Sequence, residues 1–98
     1  MNEIIIWLQQ WYQSQCDGDW EHDYGIKIDT LDNPGWVITI DLKFTELEKL
    51  ELMMDTIENG EDDWYHYSIK NSEFKASGDP TKLEFLLYKF KEIADTHK

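Results

Sequence analysis

The chain has 98 residues, and 21 Asp and Glu against nine Lys and no Arg give it a net charge of −12. This length predicts a single domain spanning residues 1–98, and so strong a negative charge makes a nucleic-acid partner unexpected because it repels phosphates. No apolar run approaches the roughly 20 residues of a membrane helix, and none reads as a secretory signal, so no membrane partner is expected. A single Cys rules out an internal disulfide framework and fits a reducing cytoplasm, which is the expected location.

Residues 2–15 carry apolar side chains at helical spacing. Ile4, Trp7, Leu8 and Trp11 fall at i, i+3, i+4 and i+7, which is typical of one core-facing stripe. Asn2 is a suitable N-cap. The pattern predicts an α-helix over residues 2–15.

Two alternating segments follow, at residues 24–31 and 36–42. Each places apolar side chains on one face and polar ones on the other, as half-buried strands do. Between them, Asp32-Asn33-Pro34-Gly35 is a strong turn signal because Pro fixes φ and Gly accepts a positive φ. The three segments predict an antiparallel hairpin.

Residues 45–60 fit two structures. Thr45 and Glu48 match a helix capping box, with apolar residues near helical spacing as far as Asn59-Gly60. Leu50, Leu52 and Met54 also alternate as a strand would. Residues 64–70 are rich in β-formers, and Asn71-Ser72 can turn them into a further strand over residues 73–77.

The end of the chain predicts a helix. Asp79 suits the N-cap and Pro80 the first helical position, and six apolar side chains then form one stripe to about residue 95. Because the strands are grouped and do not alternate with helices, the class is α+β. We expect an N-terminal helix, an antiparallel β-meander of about four to five strands, and a C-terminal helix packed on the sheet.

The segment from Ser14 to His22 concentrates reactive and charged side chains on an expected loop, where function is often found. Cys16 is the single candidate for a thiol nucleophile, but a reactive thiolate needs cationic neighbours. The residues around it are acidic, and the end of a helix adds a negative dipole. A half-buried structural Cys is the favoured interpretation.

The acids of this segment also alternate in the way that calcium ligands do. Asp17, Asp19, Glu21 and Asp23 supply oxygens at every second position. The glycine stands second where a calcium loop has it sixth, and Ile28 occupies the twelfth position, where a Glu is required. No metal, cofactor or catalytic residue is therefore predicted.

Recognition of another protein is the remaining interpretation. Three Trp residues stand beside acids or turns, and Trp is a frequent anchor at interfaces, where acids around it favour a basic partner. The predicted partner-binding residues are Asp17, Asp19, Trp20, Glu21, His22, Asp32, Trp36, Asp62, Asp63 and Trp64.

A family resemblance rests mainly on the first half of the chain. The matching segments are Trp7-Leu8-x-x-Trp11-Tyr12-x-Ser14-Gln15-Cys16-Asp17-Gly18-Asp19-Trp20-Glu21-His22, Tyr24-Gly25-Ile26-x-Ile28 and Thr30-Leu31-Asp32-Asn33-Pro34-Gly35-Trp36, with a looser match at Asp63-Trp64, Phe74, Gly78 and 83–90. The chain resembles the bacterial immunity protein family numbered 53. The resemblance also favours strand over helix for residues 49–58.

The resemblance implies a cytoplasmic protein of a polymorphic toxin system. Such a protein neutralises a cognate toxin by direct, non-catalytic binding; a nuclease is one toxin class whose basic groove would suit the charge of −12. Some relatives carry a sulfurtransferase label, which leaves a small thiol enzyme using Cys16 as an alternative. A calcium-binding module is the other alternative.

Overall fold

Six β-strands form one antiparallel sheet in the computed structural model, which describes residues 3–97. The elements are α1 (Glu3–Gln15), α2 (Trp20–Asp23), β1 (Ile26–Leu31), β2 (Gly35–Asp41), β3 (Leu52–Met53), β4 (Ile57–Glu58), β5 (Trp64–Lys70), β6 (Glu73–Gly78) and α3 (Leu83–Thr96). The predicted α+β class, with one helix before the strands and one after them in the chain, is confirmed. The sheet has six strands where four to five were expected, and the N-cap predicted at Asn2 lies outside the described residues.

The strand order is β1-β2-β6-β5-β3, with β4 also paired to β5. This order differs from the predicted meander because β2 pairs with β6, its distant neighbour in sequence. The two long hairpins, β1–β2 and β5–β6, therefore join directly through β2 and β6. The segment between them contributes only two-residue strands, which lie along β5 at the far edge.

Both predicted hairpins are confirmed. In the first, Ile28 lies opposite Ile38, and the predicted turn at residues 32–35 connects the strands. In the second, Asn71 and Ser72 have φ angles of 55° and 61°, as both central residues of a type I′ turn require. This turn has the twist that matches antiparallel strands, so β5 and β6 pair along their whole length.

Residues 45–60 form turns and short strands, not a helix. The Thr45 hydroxyl donates to the Leu42 carbonyl (2.7 Å) and accepts from the Leu47 N–H (3.1 Å). The side chain expected to cap a helix therefore closes a tight turn, and this turn buries Leu47. Strand structure in 49–58, favoured by the family resemblance, is present as β3 and β4.

The core lies between the two long helices and one face of the sheet. The stripe of α1 buries Ile4, Leu8 and Trp11, and α3 buries a stripe of its own. The ring of Phe90 on α3 lies 5.0 Å from Trp11 and 5.1 Å from Phe74 of β6, centroid to centroid. The C-terminal helix thus packs on the sheet as predicted.

The helix α3 begins at Leu83, three residues later than predicted. Asp79 and Pro80, expected as N-cap and first helical residue, instead start a turn. The Asp79 carboxylate accepts from the backbone N–H of Trp64 (2.9 Å) and of Thr81 (2.8 Å). Because the bond to Trp64 ties Asp79 to the neighbouring strand, the chain first turns and only then becomes helical.

The strand register defines two ends of the sheet and an open face. Gly35, Trp64 and Asp79 lie in one row across one end, and Gly25 lies opposite Asp41 at the other. The strands between them place these ends about 20 Å apart. On the face opposite the helices, called the open face, side chains such as that of Lys75 stay exposed.

Candidate functional site

A cavity of about 950 Å³ lies at the end of the sheet beside the β1–β2 turn. We call it the acidic cavity. Its lining residues are Asn33, Pro34, Thr56, Glu58, Gly60, Glu61, Asp62, Trp64, His66 and Ser77. Two residues predicted from the sequence, Asp62 and Trp64, are among them.

The floor of the acidic cavity comes from β5 and β6. Alternation along a strand puts Trp64 and His66 on the open face, with Ser77 opposite His66 on β6. The Trp64 indole lies over Gly35: a Cβ built there would stand 3.1 Å from Trp64 Cζ2 and 2.5 Å from the Gly78 carbonyl oxygen. A glycine at residue 35 therefore leaves the room that the Trp64 ring and the Gly78 carbonyl occupy.

The rim of the acidic cavity is negatively charged. Glu58, Glu61 and Asp62 are all exposed, and no lysine lines the cavity in the part of the chain that the structure describes. The connection from Asn59 to Asp63 is closed by an N–H···O bond of 2.8 Å, which holds the rim loop in shape. Three carboxylates around a half-buried indole suit a cationic group of a partner.

A buried ion-pair cluster supports this rim. Asp79 is fully buried, and its carboxylate accepts from Lys82 Nζ (2.7 Å), from the Thr81 hydroxyl (2.6 Å) and from the N–H groups of Thr81 and Trp64. Lys82 Nζ also donates to Asp63 Oδ1 at 2.8 Å. Lys82 therefore links the base of α3 to the last residue of the rim loop.

The hydrogen bonds of this cluster shift two pKa values. Burial by itself raises the pKa of Asp79, but the bonds from Lys82, Thr81 and the Trp64 N–H outweigh it and hold this pKa well below its usual range. Hydrogen bonds to Asp63 and Asp79 raise the pKa of Lys82. Both groups are therefore charged at neutral pH, and their charges largely compensate each other.

The predicted residues between Asp17 and His22 lie at the opposite end of the sheet. Asp17 Oδ1 accepts from the N–H groups of Asp19 and Trp20, both at 2.9 Å. Glu21 accepts from the N–H groups of Asp17 (3.0 Å) and Gly18 (2.9 Å). These two carboxylates satisfy the backbone of their own loop, and the bonds from Trp20 and Asp19 lower the pKa of Asp17.

Trp20 is a core residue. Its side chain is 4% exposed, its Nε1 donates to the Lys43 carbonyl at 2.8 Å, and its ring contacts Trp11 edge to face with centroids 6.3 Å apart. The indole therefore anchors the short helix α2 to the body of the protein. Asp19 and His22 beside it are exposed.

Cys16 is half-buried at the end of α1. Its thiol donates to the Tyr12 carbonyl at 3.3 Å, a bond that uses the proton a nucleophilic thiolate would have lost. Within residues 3–97, no group of three or more His, Cys, Asp or Glu side chains is placed to hold a metal ion.

Two further predicted residues, Asp32 and Trp36, belong to the cavity end but do not line the cavity. Asp32 is exposed in the β1–β2 turn. Trp36 points to the helix side of the sheet, where its Nε1 donates to the Pro80 carbonyl at 3.0 Å. The ten residues predicted as one surface thus divide between two ends of the sheet about 20 Å apart.

Comparison with known proteins decides the family. The family model of immunity protein 53 matches residues 5–95. The chain belongs to that family. Its function is immunity against a toxin, and a toxin is its partner. No curated protein and no solved structure gives a significant match.

Several residues of the acidic cavity in this immunity protein escaped the sequence prediction. Glu58 and Glu61 precede the predicted pair Asp62-Asp63 in one acidic run, so that run was the available signal. His66 was detectable as the second residue after Trp64 in a strand, since such residues share a face. Asn33 and Pro34 carried only a turn signal, and their place at the cavity depends on the pairing of β2 with β6.

Across residues 3–97, no helix is long and apolar enough to cross a membrane.

Proposed function

We propose that this immunity protein neutralises its cognate toxin by binding it directly, without catalysis, and that the acidic cavity receives the toxin. The observation that carries the proposal is the grouping of Glu58, Glu61 and Asp62 around the Trp64 indole on the open face. A basic segment of the toxin, inserted here, would gain both opposite charge and an aromatic contact.

The net charge of −12 supports the same mechanism at long range. A protein with such a charge attracts a basic partner before contact and speeds association, an effect that salt suppresses. The groove of a toxin that cleaves nucleic acid is basic because it holds phosphates. Inhibition would then be occlusion of that groove by the acidic rim.

The test compares two triple variants of equal charge. Glu58→Gln/Glu61→Gln/Asp62→Asn removes the rim acids, and Asp19→Asn/Asp23→Asn/Glu46→Gln removes three exposed acids at the other end of the sheet. Each is tested for binding to the toxin encoded beside the gene and for rescue of cells expressing that toxin. We expect the first variant to bind at least about tenfold more weakly, and the second to bind much like the unmodified protein.

If the second variant loses binding and the first retains it, the loop from Asp17 to His22 is the contact surface. If neither variant changes affinity and association is insensitive to salt, the interface is apolar and charge does not drive it. Folding of each variant is verified by its unfolding transition.

A further inference from the structure

The strand β1 forms an edge of the sheet that could pair with another strand. It lies at one end of the strand order and is six residues long, whereas the other edge consists of the two-residue strands β3 and β4. An unpaired edge presents a row of backbone N–H and C=O groups and acts as a template for another strand. The outward-facing residues Ile26, Ile28 and Thr30 are not part of the acidic cavity, which reaches the β1–β2 hairpin only at Asn33 and Pro34 of its turn.

The register shows which backbone groups of β1 face outward. The Asp41 N–H donates to the Gly25 carbonyl at 3.0 Å, so these two residues form a hydrogen-bonded pair. Such pairs alternate along an antiparallel ladder. Lys27 and Asp29 therefore direct their backbone groups to β2, and Ile26, Ile28 and Thr30 direct theirs to the open edge.

We propose that two copies of this chain pair antiparallel through β1, with the two-fold axis at Ile28. In this register Ile28 meets the partner's Ile28, and Ile26 meets the partner's Thr30, all through backbone groups that face outward. On the open face, Lys27 lies opposite the partner's Asp29, and Asp29 opposite the partner's Lys27. The strand Ile26-Lys27-Ile28-Asp29-Thr30 is thus complementary to itself in charge, in apolar character and in hydrogen-bond direction.

The surface beside the edge is apolar. Ile28 is 40% exposed, and Ile5 and Tyr12 of α1 are 42% and 39% exposed on the same side of the sheet. A groove of about 390 Å³ between α1 and β1 continues this surface. Pairing would cover Ile28. The charges of Lys27 and Asp29 cancel, so β1 has no net charge although the chain as a whole is strongly acidic. Two copies can therefore meet at β1 without repulsion between the strands themselves.

Sedimentation velocity over a range of concentrations measures the dimer, and charge reversal tests its register. Lys27→Asp sets like charges opposite each other at both ends of the pairing, and so does Asp29→Lys. We expect each to raise the dimer dissociation constant about tenfold. The double variant Lys27→Asp/Asp29→Lys restores opposite charges and should restore the dimer. Lys75→Asp makes the same change in charge on the open face, away from the edge, and is the control that should leave the dimer intact.

Hydrogen exchange on the unmodified protein tests the proposal without any variant. As concentration rises, the amide protons of Ile26, Ile28 and Thr30 should become protected, while those of Lys27 and Asp29 are protected throughout. A chain that stays monomeric at high concentration overturns the proposal. So does a dimer that the single reversals leave unchanged, one that the double variant does not restore, or a β1 edge that becomes protected only on addition of toxin.

Discussion

Asp79 and Trp64 exchange two hydrogen bonds at the last row of the β5–β6 ladder. The Asp79 N–H donates to the Trp64 carbonyl at 3.1 Å, and the Trp64 N–H donates to the Asp79 carboxylate at 2.9 Å. The side chain thus takes the position of a backbone carbonyl. The Asp79 carbonyl is left to accept from the Lys82 N–H at 3.0 Å, and this bond turns the chain toward α3.

The first prediction concerns the loss of that carboxylate. Asp79→Asn removes a fully buried negative charge that pairs with Lys82 and accepts hydrogen bonds from two backbone N–H groups. We therefore expect the free energy of unfolding to fall by about 3 kcal/mol. Asp63→Asn removes the other carboxylate bound to Lys82, which is exposed, and should cost less than about 1 kcal/mol. Urea unfolding of the two variants measures the difference. Equal losses would mean that the buried carboxylate has no special role.

The second prediction concerns pH. The pKa of Asp79 is lower in the folded protein than the unfolded value of about 3.9. Its contribution to stability is therefore complete above that value and is lost as the pH falls toward the folded pKa. The difference in stability between the unmodified protein and Asp79→Asn should shrink when urea unfolding is repeated at about pH 3. A difference independent of pH would show that the carboxylate charge does not stabilise the fold.

The third prediction concerns the glycine beneath Trp64. A methyl group at Gly35 would stand 2.5 Å from the Gly78 carbonyl oxygen, so Gly35→Ala should destabilise the protein by about 1–3 kcal/mol. At Gly25 nothing lies within 4 Å of an added Cβ, and Gly25→Ala should be neutral or stabilising by up to about 1 kcal/mol. Thermal unfolding compares the two. The prediction is wrong if both variants melt at the same temperature.

The fourth prediction separates a core residue from a contact residue. Trp20→Phe loses the bond to the Lys43 carbonyl and part of the buried ring, so it should lower the free energy of unfolding by about 1–3 kcal/mol. It should leave toxin affinity unchanged, because the indole is not accessible. His22→Ala, an exposed neighbour, should change stability by less than about 0.5 kcal/mol. Reduced toxin affinity in Trp20→Phe without reduced stability would make Trp20 a contact.

Local patterns were enough to predict most elements of the fold. Helical spacing in α1 and α3 and alternation in β1, β2, β5 and β6 depend on neighbouring residues, which the sequence displays directly. The start of α3 was predicted wrongly because the N–H of Trp64, fifteen residues earlier, takes up the Asp79 carboxylate. A hydrogen bond between residues so far apart in the sequence cannot be recognised from the residues next to Asp79.

The candidate site was predicted only in part, for a related reason. The sequence marks Asp62 and Trp64 as acids beside an aromatic residue, but it contains nothing that separates them from Asp19 and Trp20, which form a similar pair. The two pairs differ in burial: Trp20 is enclosed by α1 and the turn at Lys43, whereas Trp64 lies on the open face. The position of Trp64 beside the β1–β2 turn depends on which strands are neighbours, and the pairing of β2 with β6 was not evident from the sequence.

The carboxylate that replaces a carbonyl occurs at both ends of the sheet. At the end opposite Asp79, the Gly25 N–H donates to Asp41 Oδ2 at 2.9 Å while the Asp41 N–H donates to the Gly25 carbonyl. The amide protons of Gly25 and Trp64 are thus protected by hydrogen bonds to aspartate side chains and not by hydrogen bonds to backbone carbonyls of the neighbouring strand. In native-state hydrogen exchange each proton should report the rotation of its own aspartate, Asp41 for Gly25 and Asp79 for Trp64. This rotation should occur on a timescale separate from the opening of the strands that the two residues terminate.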